Sequence, residues 1–216
     1  QQKSNRVPLF KRGRKSAAAA NPKAQALMTE TLRMASEIAA ALAYLHSERI
    51  IYRDLKPDNV GLDLEGKCKI FDFGLARRLP SASQKKRNDT YQMTGKSGSL
   101  ILMAPEVFKG EPYNEKADVY SFAMLLWNML ALDLPYLDFI KKRAFETKVM
   151  GQGMRPDVQG TWPKHAQILL QRAWAQDYAK RPSMKEICSM LKEATTTPTG
   201  ASAGASRGYV KRSSFM

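Results

Sequence analysis

Residues 50–74 read I-I-Y-R-D-L-K-P-D-N-V-G-L-D-L-E-G-K-C-K-I-F-D-F-G. Two short apolar runs, Val60 to Leu62 and Lys67 to Phe71, flank Asp63-Leu64-Glu65-Gly66, and an Asp at the start with a Gly at the end suits a four-residue turn between antiparallel strands. Arg53, Asp54, Lys56 and Asn59 stand before this hairpin, and Asp72 and Gly74 stand after it. The turn brings the two ends together. Two carboxylates, a carboxamide and an ammonium then converge, which is the set a polyphosphate with its magnesium ions requires, because magnesium takes a few hard oxygen ligands and keeps waters besides.

Tyr52-Arg53-Asp54-Leu55-Lys56-Pro57-Asp58-Asn59 resembles the catalytic loop of protein kinases, and Asp72-Phe73-Gly74 resembles their metal-binding D-F-G. Either motif alone is weak; both in this order, with a hairpin between, are specific. The resemblance implies ATP and Mg2+ as cofactors and a protein Ser/Thr hydroxyl as acceptor. It makes Asp54, Lys56 and Ser99 catalytic, places nucleotide against Lys56, Asn59, Asp72, Val60 and Leu62, and gives the metal to Asn59 and Asp72. Asp54 would accept or orient the proton of the acceptor hydroxyl, Lys56 would neutralise the transferred phosphoryl group, and Ser99 would touch both. A lysine at this spacing, followed by Pro57, is similar to serine/threonine kinases. Tyr52 stands where the family more often has His and is read as stacking near Phe73. Gly61 stands where the family places an apolar side chain beneath the adenine, which leaves that floor to Val60 and Leu62 or to the other wall of the cleft.

The net charge of +15 raises nucleic acid as a partner, so its location matters. Residues 1–28 contribute Lys3, Arg6, Lys11, Arg12, Arg14, Lys15 and Lys23 with no acid, and residues 195–216 add Arg207, Lys211 and Arg212. Most of the surplus therefore lies in the two ends, where it reads as solvated tails rather than a nucleic-acid footprint. The longest apolar stretch, Val119 to Leu132, is shorter than the roughly 20 residues a bilayer span needs. No membrane partner is expected. Cys68 and Cys188 have no framework spacing and read as reduced core thiols. The expected compartment is the cytoplasm, with the basic run Lys11-Arg12-Gly13-Arg14-Lys15 leaving the nucleus open.

Composition and patterning divide the chain into a basic flexible leader over 1–27, a kinase large lobe over 28–193 and a disordered low-complexity tail over 194–216. The fold class expected is α+β, mainly α, with the short catalytic-loop hairpin as its main β element. Leu32, Ala35, Ile38, Ala39, Leu42 and Leu45 recur at helical spacing, which predicts a helix capped by Thr29 or Thr31 and ending near Ser47. Leu75 to Met103 fits an activation loop rich in Ser, Thr, Gly and Lys. Arg53 resembles the arginine that pairs with a phosphorylated loop residue, here Thr90, Tyr91, Thr94 or Ser97, so an activating kinase acting between Thr90 and Ser99 is a further expected partner. Ala104-Pro105-Glu106 resembles the end of that segment, with Glu106 expected to pair with a buried Arg181. Asp118 opens an all-apolar helix and would brace the catalytic loop. The sequences around Gly153-Met154-Arg155-Pro156 and Ala173-Trp174 resemble the tyrosine-kinase-like group of serine/threonine kinases.

Neither G-x-G-x-x-G nor a V-A-x-K strand occurs. The resemblance therefore implies a partial kinase domain, with these 216 residues alone expected to show negligible turnover. The competing expectation is a kinase-derived module that binds partners without transferring phosphate.

Overall fold

The computed structural model describes residues 22–96, 98–136 and 143–196, without side chains for 193–196. The first helix, α1, runs Pro22–Ser47 and buries Leu32, Ala35, Ile38, Ala39, Leu42 and Leu45, the stripe that its sequence period predicts. It begins earlier than expected. Residues 22–27 belong to the helix and not to a leader, because Ala24, Gln25, Ala26 and Leu27 are all good helix formers and Pro22 is tolerated in a first turn. Met28 also packs against the core. Thr29 is consequently no cap: its hydroxyl donates to the Gln25 carbonyl one turn back, at 3.0 Å. The leader that remains, and the basic run within it, lie outside the described residues.

Two small antiparallel sheets follow. Strand β1 (Ile50–Ile51) pairs with β4 (Arg77–Arg78), and β2 (Val60–Leu62) pairs with β3 (Cys68–Ile70) in the register Val60 to Ile70, Gly61 to Lys69 and Leu62 to Cys68. The β2–β3 turn closes where expected, with the Gly66 N–H donating to the Asp63 carbonyl at 3.0 Å. Helix α1 fastens this hairpin from below: the Arg33 guanidinium donates to the Gly66 carbonyl at 2.9 Å, and the Glu37 carboxylate accepts the Cys68 N–H at 2.7 Å. That last bond, ahead of the nearby Arg33 charge, holds the Glu37 carboxyl below its ordinary range.

Among the described residues the remaining α-helices are α2 (Pro105–Lys109), α3 (Lys116–Ala131), α4 (Lys164–Ala173) and α5 (Met184–Thr196), with a π-helical turn over Phe145–Gly151. Helix α3 is buried almost all round, as a helix apolar on every face must be. Around it pack α1, α4 and the short turn Leu100–Leu102, while α5 lies against α1 and α4. Helix α5 reaches Thr196, so residues 194–196 are helical rather than part of a tail; the rest of the expected tail lies outside the described residues. Among the described residues no helix is long and apolar enough to cross a membrane.

The base of the lobe is held by a buried ion pair. Arg181, fully enclosed, gives two parallel bonds to Glu106, Nη1 to Oε1 at 2.6 Å and Nη2 to Oε2 at 2.9 Å, and its Nε donates to the Ala175 carbonyl at 2.8 Å. Its guanidinium also stacks on one side of the Tyr120 ring, 5.1 Å from the centroid, with Arg155 stacking on the same ring at 5.0 Å. Every acceptor the pair needs is supplied locally, which is the condition for burying two charges.

Candidate active site

Asp118, in the first turn of α3, has no exposed surface. One of its oxygens accepts the Tyr52 N–H and the other the Arg53 N–H, both at 2.8 Å, and His46 Nε2 lies 2.9 Å from the first. These bonds hold Arg53 at a φ of 69°, a backbone conformation that a residue with a side chain rarely adopts. The turn aims Asp54 away from the core. His46, which the sequence reading missed, is marked only by its place in the last turn of α1; nothing local points to a carboxylate far down the chain.

Asp54 is buried and sits between two donors. Lys56 Nζ lies 2.7 Å from Asp54 Oδ2, and the Asn59 amide nitrogen donates to the same oxygen at 3.0 Å and to the Asp54 carbonyl at 2.9 Å. The hydrogen bond to Asp54 keeps the Lys56 ammonium above its ordinary pKa, helped by the charges of Asp54, Asp58 and Asp72. With its nitrogen committed, the Asn59 carboxamide has its oxygen left as the group to offer a cation.

The hairpin brings Asp72 to this end of the site. Beyond the last pair of the ladder, the Phe71 N–H donates to the Asn59 carbonyl at 3.1 Å, so Asn59 and Asp72 flank the open end of the hairpin. Asp72 has a φ of 79° and accepts the Gly74 N–H on one carboxylate oxygen at 2.9 Å. A carboxamide oxygen and a carboxylate oxygen are hard ligands suited to magnesium, which keeps several waters. Among the described residues no group of three or more His, Cys, Asp or Glu gathers to hold a metal, so the set is a small one. Tyr52, fully buried, stacks edge-on against Phe73 at 5.5 Å as expected and donates its hydroxyl to the Phe71 carbonyl at 2.6 Å. Burial, opposed in part by Asn59, pushes the Tyr52 phenol up to about 12.

Among the described residues no hydrogen bond joins Ser99 to Asp54 or Lys56, while Gly98, one residue before it, lies directly against the catalytic loop. At a φ of 96°, a side chain on Gly98 would run into the Arg53 carbonyl at 2.4 Å, so the segment can cross the catalytic loop only with glycine there. Val60 and Leu62 lie on the other face of the ladder from Gly61. Successive strand residues face opposite sides, and Val60 turns with Ile70 toward the core, while Leu62, 57% exposed, shares Val60's face of the ladder and not Gly61's.

Arg53 gathers the loop that follows. Its Nε donates to the Leu75 carbonyl at 2.7 Å, and its Nη1 donates to the Thr94 hydroxyl at 2.9 Å and the Tyr113 hydroxyl at 3.0 Å. Of the expected loop sites, Thr90 and Tyr91 are buried, Tyr91 in a bridge to Tyr113, and Ser97 lies outside the described residues. Thr94 is exposed and already touches the guanidinium.

Comparison with known proteins agrees with this geometry. Residues 10–191 match the family model described as protein kinase domain. The chain belongs to the protein kinase family. Its relatives include the serine/threonine-protein kinases STY17 and STY46 of Arabidopsis thaliana, 36% and 37% identical over 163 and 162 residues, covering 75% and 74% of this chain and 27% and 26% of theirs. The dual specificity protein kinase shkD of Dictyostelium discoideum is 34% identical over 163 residues, 75% of this chain and 21% of its own. The kinase chain thus spans about a quarter of the length of these relatives. The mainly helical large lobe, the hairpin and the tyrosine-kinase-like character of the relatives are as the sequence implied.

Proposed function

We propose that this chain is the large-lobe part of an ATP-dependent protein kinase that phosphorylates serine and threonine hydroxyls. The observation that carries the reading is Asp54, a buried carboxylate fixed by Lys56 and Asn59 at the open end of a hairpin that also presents Asp72. Asp54 accepts the hydrogen bond of the acceptor hydroxyl and takes its proton as the oxygen bonds to the γ-phosphorus and the bond from that phosphorus to the bridging oxygen breaks, releasing ADP. Lys56 lies close enough to share its charge between Asp54 and the transferred phosphoryl oxygens. Asn59 and Asp72 would hold Mg2+, which neutralises charge on the nucleotide phosphates when bound. Asp118 is a positioning residue, acting through the main chain of Tyr52 and Arg53.

Lys56 followed by Pro57 favours serine and threonine as acceptors, and the names of the Arabidopsis relatives support this. Regulation by a second kinase is assigned to Thr94, where a phosphate would gain the Arg53 guanidinium as a charge-assisted partner. The two free thiols, Cys68 and Cys188, suit the cytoplasm.

The test is phosphoryl transfer from labelled ATP to a protein rich in Ser and Thr, with the 216 residues alone and with the same residues extended by the polypeptide encoded upstream. The extended protein is expected to transfer phosphate onto Ser and Thr, with at least a hundredfold loss in Asp54→Asn and little turnover from the shorter chain. A folded extended protein with no transfer, or with an Asp54→Asn variant as active as wild type, would favour a non-catalytic binding module instead.

A further inference from the structure

The hairpin exchanges a large residue for a small one on its outer face. Gly61 and Lys69 are paired across the ladder, so they share a side, and Phe71, two residues on from Lys69, shares it too. A carbon built on Gly61 in the position of Cβ would lie 3.0 Å from Phe71 Cε1, inside ordinary van der Waals contact, so the ring would have to shift to admit it. The phenyl ring therefore occupies the space that a side chain at position 61 would fill. Its backbone is fixed on both sides, the N–H to Asn59 and the carbonyl to the Tyr52 hydroxyl, so the ring is presented from a rigid mount. Yet Phe71 is 48% exposed. A large apolar ring held rigidly in the open, one residue before Asp72 and beside Asn59, is not serving the core.

We infer that the Phe71 ring is the surface on which the base of the bound nucleotide stacks, and that Gly61 is glycine to make room for it. The inference rests on the nucleotide reading above and names a residue within it. A phenyl face offers stacking and no hydrogen bonds, and every nucleobase has a π-face, so Phe71 supplies affinity without choosing between adenine and guanine. The pair also accounts for the departure at Gly61: the floor is moved from one strand of the hairpin to the other and changed from aliphatic to aromatic.

The experiment uses the 216-residue chain with Mg2+ and N-methylanthraniloyl-ADP as the fluorescent probe, displaced in turn by ADP, GDP and tripolyphosphate. Phe71→Ala is expected to weaken ADP and GDP alike by about tenfold or more, as the loss of a stacking face does, and to leave tripolyphosphate unchanged. Gly61→Leu alone is expected to weaken both nucleotides by displacing the ring. The double variant Gly61→Leu/Phe71→Ala should recover to within about threefold of wild type, because leucine then has the space and provides a floor. Phe71→Leu, which keeps the apolar volume and guards against a folding failure of the alanine variant, should show a smaller loss than Phe71→Ala. Unchanged ADP affinity in Phe71→Ala, or equal loss of ADP and tripolyphosphate, would overturn the inference while leaving the nucleotide reading intact. If wild type binds neither ADP nor tripolyphosphate, the nucleotide reading fails for this chain and the inference goes with it.

Discussion

The base of the lobe and its catalytic rim use the same kinds of residue to opposite ends. At the base, Arg181, Glu106 and Tyr120 are enclosed, and each bond of the Arg181–Glu106 pair has a partner of fixed geometry. At the rim, Phe71 and Phe73 are about half exposed, Lys56 reaches its carboxylate from the edge of solvent, and Arg53 and Asp72 hold backbone conformations that cost free energy. Charges at the base are thus paired inside the fold, whereas those at the rim face the site proposed for phosphoryl transfer. If that division is right, substitutions at the base change stability, and those at the rim change transfer while leaving the fold nearly alone.

The largest effect should come from Arg181→Ala, which strands Glu106 as a buried unpaired charge and is expected to cost about 3 to 5 kcal/mol in urea denaturation. A loss below about 1 kcal/mol would mean that the base does not carry the lobe. Asp118→Ala comes next. It leaves the Tyr52 and Arg53 N–H groups without their acceptor, at about 2 to 4 kcal/mol together, and it sharpens the comparison because it should lower both stability and transfer.

A smaller loss is expected at the start of α5, where Ser183 and Glu186 form a reciprocal cap: the Ser183 N–H donates to Glu186 at 2.7 Å and the Glu186 N–H to the Ser183 hydroxyl at 3.2 Å. Ser183→Ala should cost about 1 kcal/mol in the same denaturation. The pH dependence follows from that cap. The Ser183 N–H, then its hydroxyl, hold the Glu186 carboxyl below its ordinary value of 4.5. Because the folded value is the depressed one, the stabilisation is complete above about pH 4.5 and is lost as pH falls through the folded value. Thermal melts below pH 4.5 should show that loss in wild type and less of it in Glu186→Gln. The smallest effect on stability belongs to Lys56→Met, which removes a pair at the edge of solvent and should leave the urea midpoint nearly unchanged. The same variant should abolish transfer in the extended protein, and a large loss of stability with transfer retained would reverse the comparison.

Much of this was legible from residue order. The stripe from Leu32 to Leu45 predicted the buried face of α1 because helical period and burial have one cause, and Asp63 with Gly66 predicted the turn because its chemistry is local. Asp118 and the Glu106–Arg181 pair were placed by family resemblance rather than by any local signal. The start of α1 was missed because the run from Ala17 to Met28 holds one charge and mostly small residues, so no apolar stripe repeats there, and Asn21-Pro22 reads as a break. Strands β1 and β4 pair across residues that carry no pattern, Ile50-Ile51 with Arg77-Arg78, so only the folded chain reveals the partner of β1. The grip of Arg33 and Glu37 on the hairpin joins residues 33 and 31 positions apart, and nothing in either neighbourhood announces it. Alternation along the strand already sets Val60 and Leu62 on the opposite side from Gly61, a relation readable from residue order.

The Asp118 carboxylate has a consequence for how motion is distributed in time. It belongs to the most enclosed helix of the lobe, and the amides it captures are those of the catalytic loop, so that part of the loop cannot open while α3 stays folded without leaving the buried carboxylate short of two donors, with His46 alone beside it. In native-state hydrogen exchange, the amides of Tyr52 and Arg53 should therefore report the protection of the whole lobe, while those of Leu64 and Glu65 at the hairpin tip exchange through local fluctuation. The pivot of the active site is thereby part of the slowest-exchanging unit of the molecule, although its working groups stand at the surface.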